Sequence, residues 1–243
     1  DCEIIIHMYV KYGIEKTLEK LSGDYAFILI DLEKNKKYLA RDPFGVRSLY
    51  IGKTDNNDIV FGSELKCLNN LCVKAEQFKP GCYIDLDDYT NWKRFYNYNY
   101  NIIENEEQSD IIYNIQNKLE NAVKKRLLSD RPVGCLLSGG LDSSIIASIL
   151  KKYYKGSQLK TFAVGLKGSV DLHYAKIVAE HLGTEHHELL LDENEMFNSI
   201  DSDIYYIESY DTTTVRASTP MFLLSRRIKS MGIKMVLSGE GAD

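Results

Sequence analysis

The sequence predicts two structural classes in one chain, an α+β region followed by an α/β region built on a doubly wound parallel sheet. Four short β runs separated by turn residues lie between residues 25 and 62, which is typical of a β-rich domain. After residue 109, strand-length apolar runs alternate with helical patterns across short loops, which favours parallel strands joined by helices. We therefore expect a first domain at 1–88, a linker at 89–108 and a second domain at 109–243.

The first domain is predicted to open with two helices. Asp1 is a good N-cap, and an apolar face continues until Gly13, which should end the first helix. A second, shorter helix is expected at 14–21. Strands are then predicted at 25–31, 37–40, 49–52 and 58–62, and a turn and strand at 78–86.

The second domain is predicted to begin with a helix capped by Ser109. Residues 89–108 before it are rich in Tyr, Asn and Glu without a clear period, which indicates a crossover. In chain order, helices are expected at 110–128, 141–153, 172–182, 194–207 and 217–231, and strands at 133–137, 159–164, 186–191 and 233–237.

A glycine-rich turn joins the strand at 133–137 to the helix that begins at Leu141. Ser138, Gly139 and Gly140 leave room for a ligand to approach the backbone, and the first N–H groups of the helix would face an anion. Asp142 would repel a bare phosphate but suits a magnesium ion that bridges to one. The turn lacks the lysine of the Gly-x-x-x-x-Gly-Lys-Ser/Thr loop, so transfer of a γ-phosphoryl group is not indicated. A Gly-Gly turn alone is also ordinary α/β structure.

A second glycine-rich loop, residues 238–243, follows the last predicted strand and carries two carboxylates. Taken alone, it reads equally well as a solvated turn. Ligands of doubly wound sheets bind at the carboxyl ends of the strands. We therefore expect this loop, the loop at 138–142 and Val164-Gly165 to face one crevice.

Composition limits the other function classes. The chain has 30 basic and 35 acidic residues, a net charge of −5 and no basic block, so a nucleic-acid partner is not indicated. No apolar run has the length of a membrane span, and no signal-peptide pattern is present, so a soluble cytoplasmic protein is expected. Both ends look cut, which indicates a fragment of a longer protein.

The cysteines and histidines do not form a recognisable metal-binding pattern. Cys2, Cys67, Cys72, Cys82 and Cys135 are scattered and are expected to be mostly buried thiols, with Cys2 a small buried hydrophobe. His186 and His187 fall in a predicted strand, so they should point to opposite faces.

Several motifs together resemble one enzyme family. Ser138–Ser144 resembles the pyrophosphate loop of the N-type (PP-loop) ATP pyrophosphatases. Arg41–Tyr50 and Phe61–Lys66 resemble the glutaminase domain of class II amidotransferases, although most of these residues also suit a purely structural turn. With 161–165, 208–220 and 238–243, the set resembles glutamine-hydrolysing asparagine synthetases over essentially the whole length. The resemblance implies a partial Ntn-type αββα glutaminase domain and a partial PP-loop synthetase domain.

The resemblance implies a carbon–nitrogen ligase that makes asparagine from L-aspartate, ATP and L-glutamine. A β-aspartyl-AMP intermediate would be attacked by ammonia, releasing AMP, pyrophosphate and glutamate. ATP would contact Leu137, Val164, Ser238 and Gly239, with its pyrophosphate on Ser138, Gly139, Gly140, Leu141, Asp142, Ser143 and Ser144 and Mg²⁺ on Asp142 and Asp243. Glu240, Thr213 and Arg216 would be catalytic, and Asp1 would bind the α-amino group of glutamine.

The chain departs from the family in one respect, and two alternative functions stay open. The family's N-terminal cysteine nucleophile precedes this segment, Cys2 is not that residue, and further family residues follow position 243, so the chain is expected to be incomplete for catalysis. An adenylating enzyme with another acceptor, as in β-lactam synthetases, and a non-catalytic nucleotide-binding protein both stay open. A homodimer also stays open.

Overall fold

The computed structural model describes residues 2–98 and 107–241. The chain forms two compact units, Asp1–Ile102 and Ile103–Asp243. Within the described ranges, no helix has the length and apolar character that crossing a membrane requires.

The first unit begins with helix α1 (Glu3–Lys20), which is two helices joined by a kink. Gly13, at φ 76° and ψ 173°, is the non-helical residue at that kink, which confirms that the first helix ends there. Asp1, predicted as the cap, lies outside the described residues. Cys2 and Cys67 are exposed and only Cys82 and Cys135 are buried, so the prediction of mostly buried thiols, Cys2 among them, was wrong; Cys2 occupies the N-cap position at the start of α1.

Two antiparallel sheets follow in the first unit. The strands are β1 (Ala26–Asp31), β2 (Lys36–Arg41), β3 (Tyr50–Lys53), β4 (Ile59–Gly62), β5 (Lys74–Gln77), β6 (Cys82–Asp85) and β7 (Lys93–Arg94). One sheet has the order β1-β2-β6-β7 and the other the order β4-β3-β5. Strand β5 was not predicted, because its alternating charged residues carry little apolar signal. Strand β7 lies within the predicted linker and pairs with β6.

The turn after β2 is held by two buried charged side chains. Arg41 is 3% exposed and donates to the carbonyl oxygens of Arg47 at 2.6 Å, Phe78 at 2.7 Å and Gly45 at 2.6 Å. The carboxylate of Asp42 accepts the backbone N–H groups of Phe44, Val46 and Arg47. These contacts support the structural interpretation of the Arg41–Gly45 motif.

The second unit is α/β with a parallel sheet. Strands β8 (Val133–Leu136), β9 (Lys160–Leu166), β10 (Glu185–Leu191) and β11 (Met235–Leu237) lie in the order β10-β9-β8-β11, and every pair is parallel. The helices are α2 (Gln108–Arg126), α3 (Leu141–Tyr153), α4 (Val170–Leu182), α5 (Glu193–Ile207) and α6 (Thr212–Ser230).

Helices cover both faces of this sheet. Residues of α3 and α4 pack with Cys135 and Ala163 in one core cluster. Phe162, the neighbour of Ala163, packs with Leu224 and Ile228 of α6 in another. Successive strand residues point to opposite faces, so both faces are buried. The predicted two-sided parallel sheet is confirmed.

Two predicted helix starts were wrong. Helix α2 is capped at Glu107 rather than Ser109. Helix α6 begins at Thr212, five residues before the predicted start, because Asp211 accepts the backbone N–H of Thr214 at 2.8 Å and caps it. Threonine and valine after this cap gave a weak helical signal in the sequence.

Candidate functional site

A cavity of about 260 Å³ opens at the carboxyl ends of β8, β9 and β11. The chain runs from β8 to β9 and β10 on one side, then returns to place β11 on the other side of β8. Such a reversal leaves a crevice beyond the strand ends. The lining residues are Leu136, Leu137, Ser138, Gly140, Asp142, Ser143, Phe162, Ala163, Val164, Asp171, Met221, Leu224, Ser238, Gly239, Glu240 and Gly241.

The loop between β8 and α3 is tied together by its own hydroxyl groups. The Oγ atoms of Ser138 and Ser143 lie 2.9 Å apart, and the Ser143 hydroxyl also accepts the N–H of Ser138 at 3.2 Å. The Ser144 hydroxyl donates to the carbonyl of Gly140 at 2.6 Å. Gly140 is the N-cap of α3 and has no side chain to bond the first N–H groups. Those groups and the positive end of the helix dipole suit an anion.

Gly139 brings this loop against helix α4. Its φ is +83°, and a Cβ atom there would lie 2.4 Å from the backbone N of Ala175 and 2.5 Å from the backbone C of Tyr174. A side chain would therefore force α4 away from the loop. Gly139 is not among the residues that line the cavity in the described part of the chain, so its contribution is to the shape of the loop.

Gly239 brings the two glycine-rich loops into contact. A Cβ atom at this position would lie 2.8 Å from both the backbone C of Asp142 and the backbone N of Ser143. In the same loop, the N–H of Glu240 donates to the Ser238 hydroxyl at 2.9 Å. The carboxylates of Asp142 and Glu240 consequently border one cavity.

Most of the predicted nucleotide-binding residues meet here. Leu137, Ser138, Gly140, Asp142, Ser143, Val164, Ser238, Gly239 and the predicted catalytic Glu240 line the cavity. Leu141 and Ser144, predicted with them, lie in the first turn of α3 without being among the described lining residues.

The other predicted site residues are not brought into the cavity. Thr213 and Arg216 are exposed on the first half of α6 and do not line the cavity in the described chain. Asp1, predicted to bind glutamine, and Asp243, predicted to bind Mg²⁺, lie outside the described residues.

Six lining residues were not predicted to lie there: Leu136, Phe162, Ala163, Asp171, Met221 and Leu224. Asp171 lies in the first turn of α4, after the β9 loop that was itself predicted to face the crevice, so its position could have been inferred. Phe162 is 1% exposed, and Met221 and Leu224 lie on α6. Apolar residues of this kind look like ordinary core residues in a sequence, and only the packing of α6 on the sheet places them at the cavity.

The carboxylates at the cavity suit magnesium held together with a phosphate ligand. Among the described residues, Asp142, Asp171 and Glu240 line the cavity with carboxylates, and no three metal-ligating side chains there are arranged to hold an ion by themselves. Magnesium keeps several waters and is usually bound through one or two carboxylates plus substrate phosphates. The residues present therefore fit this ion when a nucleotide supplies the remaining oxygen atoms.

The two adjacent histidines occupy opposite faces of β10, as predicted. His186 Nδ1 lies 2.9 Å from the hydroxyl of Thr161, whereas the His187 ring stacks on Phe162 with ring centroids 5.3 Å apart. Burial lowers the pKa of His186. These contacts give both rings structural partners.

Two family models match the chain. The asparagine synthase family matches residues 114–243, and the glutamine amidotransferase domain matches residues 1–70. A solved NH3-dependent NAD synthetase from Campylobacter jejuni covers 51% of this chain and 54% of its own, with a TM-score of 0.37 and 19% identity. A likeness that small does not bear on fold or function.

Curated relatives match the whole chain. Asparagine synthetase [glutamine-hydrolyzing] 1 of Arabidopsis thaliana is 46% identical over 254 residues, covering 100% of this chain and 43% of the relative. Asparagine synthetase [glutamine-hydrolyzing] of Triphysaria versicolor is 44% identical over 253 residues, covering 100% of this chain and 42% of the relative. The chain thus spans less than half the length of these relatives. Its residue pattern and these matches show that it belongs to the asparagine synthase family.

Proposed function

We propose that the protein of which this chain is part makes asparagine from L-aspartate, ATP and L-glutamine. The observation that carries the proposal is the meeting of the three predicted loops at one cavity, with Gly239 packed on the backbone of Asp142 and Ser143. This contact brings the N-terminus of α3, whose N–H groups suit an anion, and the carboxylates of Asp142 and Glu240 around the same space. The family membership of the chain supports the same reaction.

In this proposal ATP occupies the cavity. Its pyrophosphate lies on the loop and first helical turn formed by Ser138–Ser144, and its adenosine contacts Leu137, Val164, Ser238 and Gly239. The free N–H groups of the first helical turn favour the negative charge of the leaving pyrophosphate. Asp142, with Asp243, would hold Mg²⁺, which neutralises phosphate charge when bound.

The first chemical step joins aspartate to the α-phosphorus of ATP. The β-carboxylate of aspartate attacks that phosphorus, the bond to pyrophosphate breaks, and β-aspartyl-AMP results, with Glu240 at the cavity assisting. Ammonia then attacks the activated carbonyl carbon, AMP leaves, and the nitrogen loses a proton to give asparagine. Arg216, a permanently charged bidentate donor, and Thr213 would bind the aspartate carboxylate. They lie outside the cavity, so this role requires aspartate to bind beside it.

The first unit would belong to an Ntn-type αββα glutaminase domain. It matches the glutamine amidotransferase domain over residues 1–70, and its helix and antiparallel sheets suit such a layered fold. Asp1 would bind the α-amino group of glutamine, while the nucleophile would come from sequence before this segment. The ammonia released would serve the second unit.

The test is exchange of labelled pyrophosphate into ATP by the full-length protein, with Mg²⁺ and without a nitrogen donor. Exchange that requires aspartate is expected. A Glu240→Gln variant should reduce it on the order of 100-fold, the loss typical of removing one catalytic group. The matched control is Glu180→Gln, the same substitution at an exposed position on α4, which should exchange at the normal rate.

The alternatives give different results in this assay. Exchange with another carboxylate but not with aspartate would identify a different adenylating enzyme, such as one related to β-lactam synthetases. No exchange with any acid would indicate a non-catalytic nucleotide-binding protein.

A further inference from the structure

A buried aspartate joins helix α5 to helix α6. Asp203 on α5 is 0% exposed. Its Oδ2 atom accepts hydrogen bonds from the hydroxyl of Ser218 at 2.5 Å and from the hydroxyl of Thr219 at 2.9 Å. The other oxygen, Oδ1, has no hydrogen-bond partner in the described part of the chain. Both hydrogen bonds that Asp203 accepts from α6 thus end on one oxygen atom, Oδ2.

This contact fixes the rotation of α6 more tightly than apolar packing would. Hydrogen bonds need short distances and favourable angles, so a rotation of α6 that moved Ser218 and Thr219 away from Oδ2 would break both contacts. Burying a carboxylate is costly unless it is hydrogen-bonded. A rotation of α6 that broke both bonds would therefore be strongly unfavourable.

The contact lies beside a missing hydrogen bond of α6. Pro220 is inside the helix and has no N–H to donate to the carbonyl of Arg216, so one bond of the helix ladder is missing. The hydroxyl oxygens of Ser218 and Thr219 also lie 3.4 Å and 2.8 Å from the Val215 carbonyl, within the turn that precedes the proline. The single hydrogen of the Thr219 hydroxyl is therefore shared between Val215 and Asp203.

Different parts of the proposed site lie before and after Pro220 in α6. Met221 and Leu224, which line the cavity, follow Pro220, whereas Thr213 and Arg216 precede it. Pro220 thus separates the part of α6 that carries Thr213 and Arg216 from the part that carries the lining residues. Asp203 bonds the residues at the end of that first part.

We propose that Asp203 is a positioning residue that directs the first half of α6, and with it Thr213 and Arg216, toward the aspartate substrate. The assignment rests on the proposed function of those two residues. Loss of the Asp203 contact should weaken the binding of aspartate and leave the binding of ATP unchanged. The reason is that the residues of α6 that line the ATP cavity, Met221 and Leu224, follow Pro220.

The test uses a triple variant of the full-length protein, Asp203→Leu with Ser218→Ala and Thr219→Val. Replacing both partners of a buried polar contact by apolar groups of similar shape is close to neutral for stability, so the variant should fold. In the pyrophosphate exchange assay, KM for aspartate should rise about tenfold or more, the effect of a misplacement below 1 Å, and KM for ATP should stay unchanged. An unchanged KM for aspartate in the folded variant would overturn the assignment.

Two single variants serve as controls. Ser199→Ala removes another buried hydroxyl of α5, one that donates to the Glu195 carbonyl at 2.8 Å within the same helix, and should leave both KM values unchanged. Asp203→Asn keeps an oxygen acceptor, so this variant should retain much of the aspartate affinity that the triple variant loses. An Asn variant as impaired as the triple variant would contradict positioning through this hydrogen-bonded oxygen.

Hydrogen exchange separates failure of this proposal from failure of the proposed function. In the triple variant, amides at 212–219 should exchange faster and those at 223–230 at the normal rate, whether or not the protein adenylates aspartate. If the wild type does not exchange labelled pyrophosphate into ATP, that result would count against the proposed function alone. Unchanged amide exchange at 212–219 would overturn the positioning role of Asp203.

Discussion

A single methyl group at Gly239 tests whether contact between the two glycine-rich loops creates the site. In Gly239→Ala the new Cβ would lie 2.8 Å from backbone atoms of Asp142 and Ser143, whereas ordinary contacts begin at 3.4 Å. Backbone atoms cannot turn away as a side chain does, so the loops must separate by about 0.6 Å. Since a 1 Å misplacement costs about 100-fold in rate, we expect a loss of roughly tenfold.

The assay is aspartate-dependent pyrophosphate exchange by the full-length protein, with ATP concentration varied. The matched control is Gly23→Ala, at a position where a Cβ meets nothing within 4 Å, and it should exchange like the wild type. Gly140→Ala is a further comparison, because there the Cβ meets only the Ser138 hydroxyl, at 3.4 Å; its loss should be smaller than that of Gly239→Ala. Normal exchange by a folded Gly239→Ala protein would refute the view that loop contact shapes the site.

The remaining predictions concern stability. Arg41→Lys should lower the free energy of unfolding by about 3 kcal/mol, because a lysine cannot reach all three carbonyl groups that the buried guanidinium bonds. Urea unfolding measures this free energy. The control, Arg131→Lys at an exposed site, should not change it. Equal urea midpoints for the two variants would contradict the prediction. Hydrogen bonds from Tyr153 and Lys152 lower the pKa of Glu120 to about 2 from 4.5. The ionised form is thus favoured in the folded state, and its stabilising contribution is present above about pH 4.5 and lost as the pH falls toward 2. The difference in stability between wild type and Glu120→Gln should shrink over that range, and a difference independent of pH would exclude this cause.

The sequence was informative where local chemistry decides the structure. The string from Ser138 to Ser144 after an apolar strand predicted a turn and a helix N-terminus, since glycine and a following helical period act over a few residues. Prediction was weaker where a cap overrides intrinsic preference. Asp211 begins α6 before three threonines, and the apolar period appears only later in that helix, so its start was placed too late.

The division between sequence and tertiary structure follows the range of the forces involved. The sequence by itself determined the strand and helix alternation, the glycine-rich turn that opens α3 and the family resemblance, because these depend on short-range patterns and residue types. Only the tertiary structure decided that Gly239 contacts Asp142, that Asp171 and Met221 border the cavity, and that Asp203 bonds α6. Those contacts join residues far apart in the chain, and they form because packing both faces of one sheet brings these loops and helices together.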